Sequence, residues 1–288
     1  MSDYIRVKFV EYPLSEHCNL RCANCDHASH LLPKKLTDVN QAASDLSVLS
    51  GVLRADTLKI LGGEPFLHPN LKDVLMAARS SGIAENIALI SNGTLLNRVK
   101  DSSIWDLFDQ LWISVYPGVR LAFNRAQLEE MCRAHGIDLR WNEIQEFRYT
   151  ILNKRIADPQ LVQKVYDKCK LRISNLNREE YSCYTIYEGR FYKCSPAAYT
   201  KQRLELKATA FDSQGDYVPI HNNANLRAQL SSYLESKKPL TACQYCLGSS
   251  GIEVAHHQLN REQVQAATFG VEESVESLID WPKLLYEA

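Results

Sequence analysis

Thr57-Leu58-Lys59-Ile60-Leu61-Gly62-Gly63-Glu64-Pro65 reads as a short strand that breaks at a double glycine, and the residues after it complete a unit. Pro69 opens a helix in which Leu71, Val74, Leu75 and Ala78 recur at helical spacing, and Gly82 sits where a left-handed C-terminal cap belongs. The same alternation extends in both directions. Upstream lie a strand from Val7 to Tyr12 and a helix from about Val39 to Val52 with Asp38 as its cap. Downstream come strand Ile87 to Ile90, a helix near Ile104 to Phe108, strand Leu111 to Val115, helix Arg125 to His135 and strand Ile137 to Trp141. Strands joined through single helices predict right-handed crossovers and a parallel α/β sheet, open or closed into a barrel, with its chemistry at the carboxyl ends of the strands. Three polar motifs follow strands directly: Cys18-x3-Cys22-x2-Cys25, the Gly62 turn and Ser91-Asn92-Gly93-Thr94.

The 288 residues are 45% hydrophobic and 23% charged, which excludes a disordered, collagenous or coiled-coil chain. Thirty-three Lys and Arg against 34 Asp and Glu give a formal charge of −1, so no global field draws the chain to nucleic acid or an anionic membrane. Met1 to Lys8 carries no secretory pattern and no apolar run is long enough to span a bilayer, so a cytoplasmic protein is expected. Asn92-Gly93-Thr94 is then a turn, not a glycosylation site.

Nine cysteines do not suit a disulfide framework in such a chain. Cys132, inside a helical run, reads as a small buried apolar residue. The others form two groups, Cys18, Cys22 and Cys25 early, and Cys169, Cys183, Cys194, Cys243 and Cys246 late, which points to two metal sites. Beyond about Leu161 the period changes. After a helix with Val162, Val165 and Tyr166, the run Tyr184 to Lys193 predicts a hairpin turning at Glu188-Gly189, which sets Cys183 opposite Cys194 with both thiols on one face. Residues 211–225 show no clear period, and Leu226 to Leu234 reads as a helix. The expected organisation is a core over 1–165, a second region over 166–255 and a helical tail over 256–288.

Three thiolates within eight residues of loop can hold three irons of a cube and leave the fourth without a protein ligand. A structural zinc site remains an alternative, with His17, His27 or His30 as a fourth ligand; an electron-carrier ferredoxin would supply four cysteines per cluster. For the late group, a hairpin followed by Cys243-x2-Cys246 is also how zinc ribbons are built.

The cysteine triplet after the first strand and the Gly62-Gly63-Glu64-Pro65 turn after the second resemble the radical S-adenosylmethionine superfamily. The resemblance implies a partial (β/α)6 TIM-like barrel followed by a small α+β auxiliary iron–sulfur domain. It also implies a [4Fe–4S] cluster on Cys18, Cys22 and Cys25, with S-adenosylmethionine on the open iron. Gly62, Gly63, Glu64 and Pro65 would receive the amino group of that nucleotide, and Ser91, Asn92 and Ser114 would line its ribose and methionine. Asn24 departs from the family, which usually places an aromatic residue just before the third cysteine to cover the adenine. The implied reaction begins with a deoxyadenosyl radical that takes hydrogen from substrate, and the implied partner is a flavodoxin or ferredoxin-type electron donor.

Gly189-x4-Cys194 and Cys243-x2-Cys246 resemble the shortened auxiliary-cluster, or twitch, domain of one branch, which resembles SPASM domains and implies a second [4Fe–4S] cluster. Four of Cys169, Cys183, Cys194, Cys243 and Cys246 would ligate it. A spare thiol, Cys169 or Cys183, would then be a candidate hydrogen-atom donor. In size and layout the chain is similar to aminocyclitol dehydrogenases and aminoglycoside epimerases. With the first cysteine at position 18 and a short tail after Gly251, a small polar metabolite is the expected substrate, oxidised or epimerised at carbon as in antibiotic biosynthesis; a peptide substrate is the alternative, and a non-catalytic metal-binding module a further one. Asp26, His27, His30, Tyr116, Trp141 and Asn142 are candidates to hold a hydroxylated or amino-bearing ring, whereas His256 and His257 read as a surface pair.

Overall fold

The computed structural model describes residues 4–177, 183–269 and 274–286. Strands β1 (Ile5–Pro13), β2 (Leu53–Leu61), β3 (Ala84–Ser91), β4 (Gln110–Val115) and β5 (Asp138–Glu143) are parallel neighbours in chain order. Helices α1 (Val39–Ser50), α2 (Leu71–Ser81) and α3 (Arg125–Ala134) provide three of the crossovers. The local signals account for their ends. Asp38 accepts hydrogen bonds from the backbone N–H groups of Asn40 and Gln41, and Gly82 takes φ 60° after α2. Between β3 and β4 the expected helix is only a 3-10 segment, Ser102–Leu107, capped by Asp101. The linker over 92–109 is spent on two short 3-10 turns, Leu96–Arg98 and Ser102–Leu107.

One face of the sheet packs on these helices. Val10, Tyr12, Leu58, Ile60, Ile87, Leu89, Leu111 and Ile113 meet Leu46, Leu49, Val74, Leu75, Leu128 and Cys132 in one buried core. The other face carries the alternate residues, among them Glu11, Lys59, Trp112 and Ser114.

The α/β class with a mostly parallel sheet stands, but the sixth parallel strand is not placed as six successive units require. After β5 the chain forms a short strand β6 (Glu146–Arg148) outside the main sheet, then α4 (Pro159–Lys168) and α5 (Lys170–Asn177). The strand β7 (Tyr184–Tyr187) pairs parallel to β1 at the opposite edge of the five. It is the first arm of the expected hairpin, with β8 (Arg190–Tyr192) as the second. Glu188 and Gly189 both take positive φ, 50° and 69°, as a two-residue turn of this twist requires. Helix α6 (Ser195–Glu205) follows. Strand β9 (Tyr217–Pro219) closes the edge, within a stretch that has no readable period, and α7 (Leu226–Glu235) comes next. The sheet is therefore continuous from β5 to β9, and Tyr184, Ile186, Phe191 and Val218 share the core of the first five strands. Strand β10 (Glu253–Ala255) returns to pair antiparallel with β6.

Candidate active site

The loop after β1 is seated on the turn after β2. Leu14 donates to the Leu61 carbonyl at 2.7 Å, Gly63 to that of Ser15 at 2.5 Å and Glu64 to that of His17 at 3.0 Å, so the parallel pairing runs past the strand ends into the cysteine loop. A β-carbon on Gly62 would stand 2.8 Å from the backbone of Ser15; one on Gly63 would stand 2.3 Å from the carbonyl oxygen of His17. The glycines are thus required by the chain's own close approach. Glu64 differs from expectation. It is fully buried, does not line the pocket, and its carboxylate accepts from Ser91 Oγ at 2.8 Å and from the N–H groups of Asn92 at 2.9 Å and Phe66 at 3.2 Å. It holds the Ser91-Asn92 turn, and burial pushes its carboxyl up to about 7. Pro65 starts the short 3-10 turn after it and is buried too.

Cys18, Cys22 and Cys25 line one pocket with Gly62, Gly63, Ser91, Asn92 and Ser114, all at the carboxyl ends of β1 to β4. N–H groups point at the sulfurs. Leu20 donates to Cys18 Sγ at 3.4 Å, Gln258 Nε2 to Cys22 Sγ at 3.1 Å, and the backbones of Ser29 and His27 to Cys25. In the metal-free chain burial lifts Cys18 to about 12 and Cys22 to about 11, so these thiols need a cationic centre to ionise. Among the described residues no group of three or more Cys, His, Asp or Glu side chains is gathered as one metal ion would need. Three sulfurs spread around a pocket and supplied with N–H donors fit an iron–sulfur cubane.

Asp26, His27, His30 and Tyr116 also line this pocket. Asp26 is hydrogen-bonded to Thr150, and burial raises its carboxyl to about 6. His27 Nε2 and His30 Nδ1 are buried without hydrogen-bond partners. Trp141 is placed elsewhere: paired with Ile113, it faces the helices, under the Arg125 guanidinium at 4.6 Å. Strand alternation decides this, and its neighbour Asn142 is exposed on the pocket face beside Ser114 without lining the pocket. Asn24, at φ 58°, borders a different cavity behind Cys25. The aromatic wall comes instead from Tyr116 and Phe147, stacked at 5.9 Å. His256, expected at the surface, is buried and stacks on Tyr116 at 4.7 Å, because the β6–β10 pairing carries it there. His257 is exposed, and His17 contributes its carbonyl and not its ring.

Cys169, Cys194, Cys243 and Cys246 line a second cavity, between α4 and the end of α7. The backbone N–H groups of Arg172, Leu171 and Ser249 donate to Cys169, and that of Gly248 donates to Cys246 Sγ at 3.2 Å. Gly248 takes φ 52°, and a β-carbon on it would come 3.0 Å from Cys169 Sγ. Cys183 does not line this cavity. The ladder ends at Tyr192 and Cys194 follows as the N-cap residue of α6, while Cys183, whose charge Cys194 still senses, stays buried near Glu11 and Lys59. Four contributing residues were not foreseen. Gln258 reaches Cys22 from 236 residues away; Asp216 accepts from the N–H groups of Thr241 and Ala242 at 2.5 and 2.8 Å and so holds the turn that presents Cys243; Glu11 and Lys59 form a buried pair. Only long-range contacts reveal them.

No family model matches the chain. It is 24% identical over 174 residues, 60% of its length, to GTP 3',8-cyclase of Chlorobaculum tepidum, of which that alignment covers 48%. It is 33% identical over 91 residues to the antilisterial bacteriocin subtilosin biosynthesis protein AlbA of Bacillus subtilis, covering 30% of this chain and 19% of AlbA. The chain thus spans half or less of the curated relatives it matches. Among solved structures, BtrN in complex with AdoMet and 2-DOIA superposes with a TM-score of 0.50 at 13% identity, over 85% of this chain and 94% of BtrN, which shows a shared fold. These relatives and BtrN are radical S-adenosylmethionine enzymes, and the resemblance carried by the cysteine triplet holds.

Proposed function

We propose that this protein, similar in fold and cysteine triplet to radical S-adenosylmethionine enzymes, removes a hydrogen atom from a small polar metabolite and leads to its oxidation at carbon. The observation that carries the reading is the convergence of Cys18, Cys22 and Cys25 with Gly63, Asn92 and Ser114 on one pocket at the strand ends. Cys18, Cys22 and Cys25 would hold a [4Fe–4S] cluster, with S-adenosylmethionine beside it; Cys169, Cys194, Cys243 and Cys246 would hold a second. Bound there, these groups supply one-electron chemistry, the removal of a hydrogen atom from substrate and the acceptance of an electron from it.

The chain's own residues supply position and exclusion of water. Gly62 and Gly63 hold the cysteine loop against the sheet, and Glu64 fixes Ser91 and Asn92. Tyr116 and Phe147 offer a flat aromatic wall to the nucleobase, in place of a side chain at position 24. Among the described residues no helix is long and apolar enough to cross a membrane; an electron-carrier protein of flavodoxin or ferredoxin type would act as donor. One observation favours a second reading, inversion at carbon. Cys183 lies outside the four-thiol cavity, on the side of Glu11 and Lys59, where a thiol would return a hydrogen atom.

The test is anaerobic reconstitution followed by dithionite and S-adenosylmethionine. About eight irons per chain and release of 5′-deoxyadenosine are expected. One or two zinc ions per chain and no nucleoside would overturn the proposal.

A further inference from the structure

Gln258 reaches Cys22 with its amide already oriented. Oε1 accepts from the Arg21 N–H at 2.7 Å, and a backbone N–H can only donate, so the amide nitrogen is the end that faces the thiol. That nitrogen carries two protons and has two neighbours, Cys22 Sγ at 3.1 Å and His256 Nε2 at 3.1 Å. One proton goes to each. His256 Nε2 must then accept, which places the imidazole proton on Nδ1. Nδ1 is buried without a hydrogen-bond partner among the described residues, so the Gln258 amide makes the ring's one hydrogen bond there.

The face of the same ring is engaged separately. His256, 8% exposed, stacks on Tyr116 with centroids 4.7 Å apart and planes 19° apart, and packs on Phe147 at 5.4 Å. Tyr116 and Phe147 line the pocket of Cys18, Cys22 and Cys25, whereas His256 does not. Backbone bonds fix its place. The His256 N–H donates to the Gln145 carbonyl at 2.8 Å, Gln258 forms an antiparallel bridge with Cys22, and Ala23 donates to the His257 carbonyl at 3.1 Å. The imidazole therefore stands where the aromatic wall and the cysteine loop meet.

We infer that His256 is a positioning residue for this pocket, its Nε2 aiming the Gln258 amide at Cys22 and its ring face backing the Tyr116–Phe147 wall. The inference rests on the proposed function and deepens it. The two tasks use different parts of one side chain. Without the Nε2 lone pair the second amide proton is buried with no acceptor, and the amide turns from the thiol to recover one. Without the ring, Tyr116 and Phe147 lose the surface that keeps them flat against the pocket.

Two variants separate the tasks. His256→Phe keeps a ring and removes the acceptor; His256→Gln keeps an acceptor within reach of Gln258 and removes the ring. After anaerobic reconstitution, the potential of the first cluster is read by an electron-paramagnetic-resonance redox titration and S-adenosylmethionine retention by equilibrium dialysis. His256→Phe is expected to lower the potential with retention unchanged, and to lower it no further in a Gln258→Ala background. His256→Gln is expected to keep the potential and weaken retention about tenfold. Either variant moving both readouts, or neither, overturns the inference and leaves the proposed function standing. Should a variant lose iron, the wild type decides: long-range proton–nitrogen correlation spectra of the metal-free full-length chain are expected to place the His256 proton on Nδ1, and a proton on Nε2 overturns the inference. A wild type that binds neither iron nor nucleotide overturns both.

Discussion

Gly63 lies directly against His17: a β-carbon at position 63 would stand 2.3 Å from the His17 carbonyl oxygen and 2.7 Å from the Cys18 nitrogen. Both obstacles are backbone, so neither can swing aside. The double glycine therefore sets where the first thiol of the triplet stands, one step before any ligand is considered.

Gly63→Ala is accordingly expected to displace the cysteine loop and to lose about half of the roughly eight irons bound after anaerobic reconstitution. Gly82→Ala, whose β-carbon meets nothing within 4 Å but whose φ is 60°, should cost only about 1 kcal/mol in stability and leave the iron count unchanged. Equal iron contents in the two variants would refute the packing argument.

Glu64 ties the second strand end to the third. Glu64→Ala removes the acceptor for Ser91 Oγ and for the Asn92 and Phe66 N–H groups, and an expected loss of about 3 kcal/mol is measurable by urea unfolding of the metal-free chain. With the Ser91-Asn92 turn released, affinity for S-adenosylmethionine should fall at least tenfold in the reconstituted protein.

The parts of this arrangement that local sequence encodes were legible. Asp38 and Gly82 mark helix ends through their own hydrogen bonds and dihedrals, and Glu188-Gly189 specifies its turn with two positive φ angles. The strands β1 to β4 announce themselves by apolar runs of the right length, and β5 by the alternation of Leu139 and Trp141 with polar residues. What local sequence does not encode is which surfaces meet. The clash that makes Gly63 necessary involves a residue 46 positions earlier, and Gln258 meets Cys22 across 236. The edge at which β7 joins the sheet depends on the register with β1, which no pattern within β7 reports. His256 reads in sequence as half of a surface pair with His257, whereas in space it packs against Tyr116 and Phe147.

Gln258 donates to Cys22 Sγ at 3.1 Å and accepts from the Arg21 N–H at 2.7 Å. Hydrogen bonds to sulfur stabilise the reduced state of an iron–sulfur cluster. Gln258→Ala should therefore lower the reduction potential of the first cluster with little change in iron content, read by an electron-paramagnetic-resonance redox titration. An unaltered potential would show that the contact is only structural.

Asp216 offers a pH test away from the thiols themselves. Burial outweighs its two N–H bonds and lifts the carboxyl from 3.8 to about 6. An acid raised in the folded state binds more protons folded than unfolded, so its contribution to stability is greatest below pH 4, falls as pH rises through 4 to 6, and is constant above. The fall amounts to roughly 3 kcal/mol, taking 1.36 kcal/mol per unit. Comparing denaturant unfolding of the metal-free wild type and Asp216→Asn across pH 4 to 7 should show a fall in stability that is larger in the wild type by this share, since the raised carboxyls of Asp26 and Glu64 act in both.

Cys183 decides between the two chemistries proposed for the site. Because it stands outside the cavity lined by Cys169, Cys194, Cys243 and Cys246, Cys183→Ala should keep the full iron content, whereas alanine at any of those four should cost about four irons. Turnover in deuterium oxide then separates the outcomes. An inverted product should carry solvent deuterium at the inverted carbon, delivered by an exchangeable thiol, and Cys183→Ala should abolish that inversion while 5′-deoxyadenosine still forms. An oxidised product should carry none at its new carbonyl carbon, and Cys183→Ala should leave its yield intact. Loss of four irons from Cys183→Ala itself would instead make this thiol a ligand and remove it from either role.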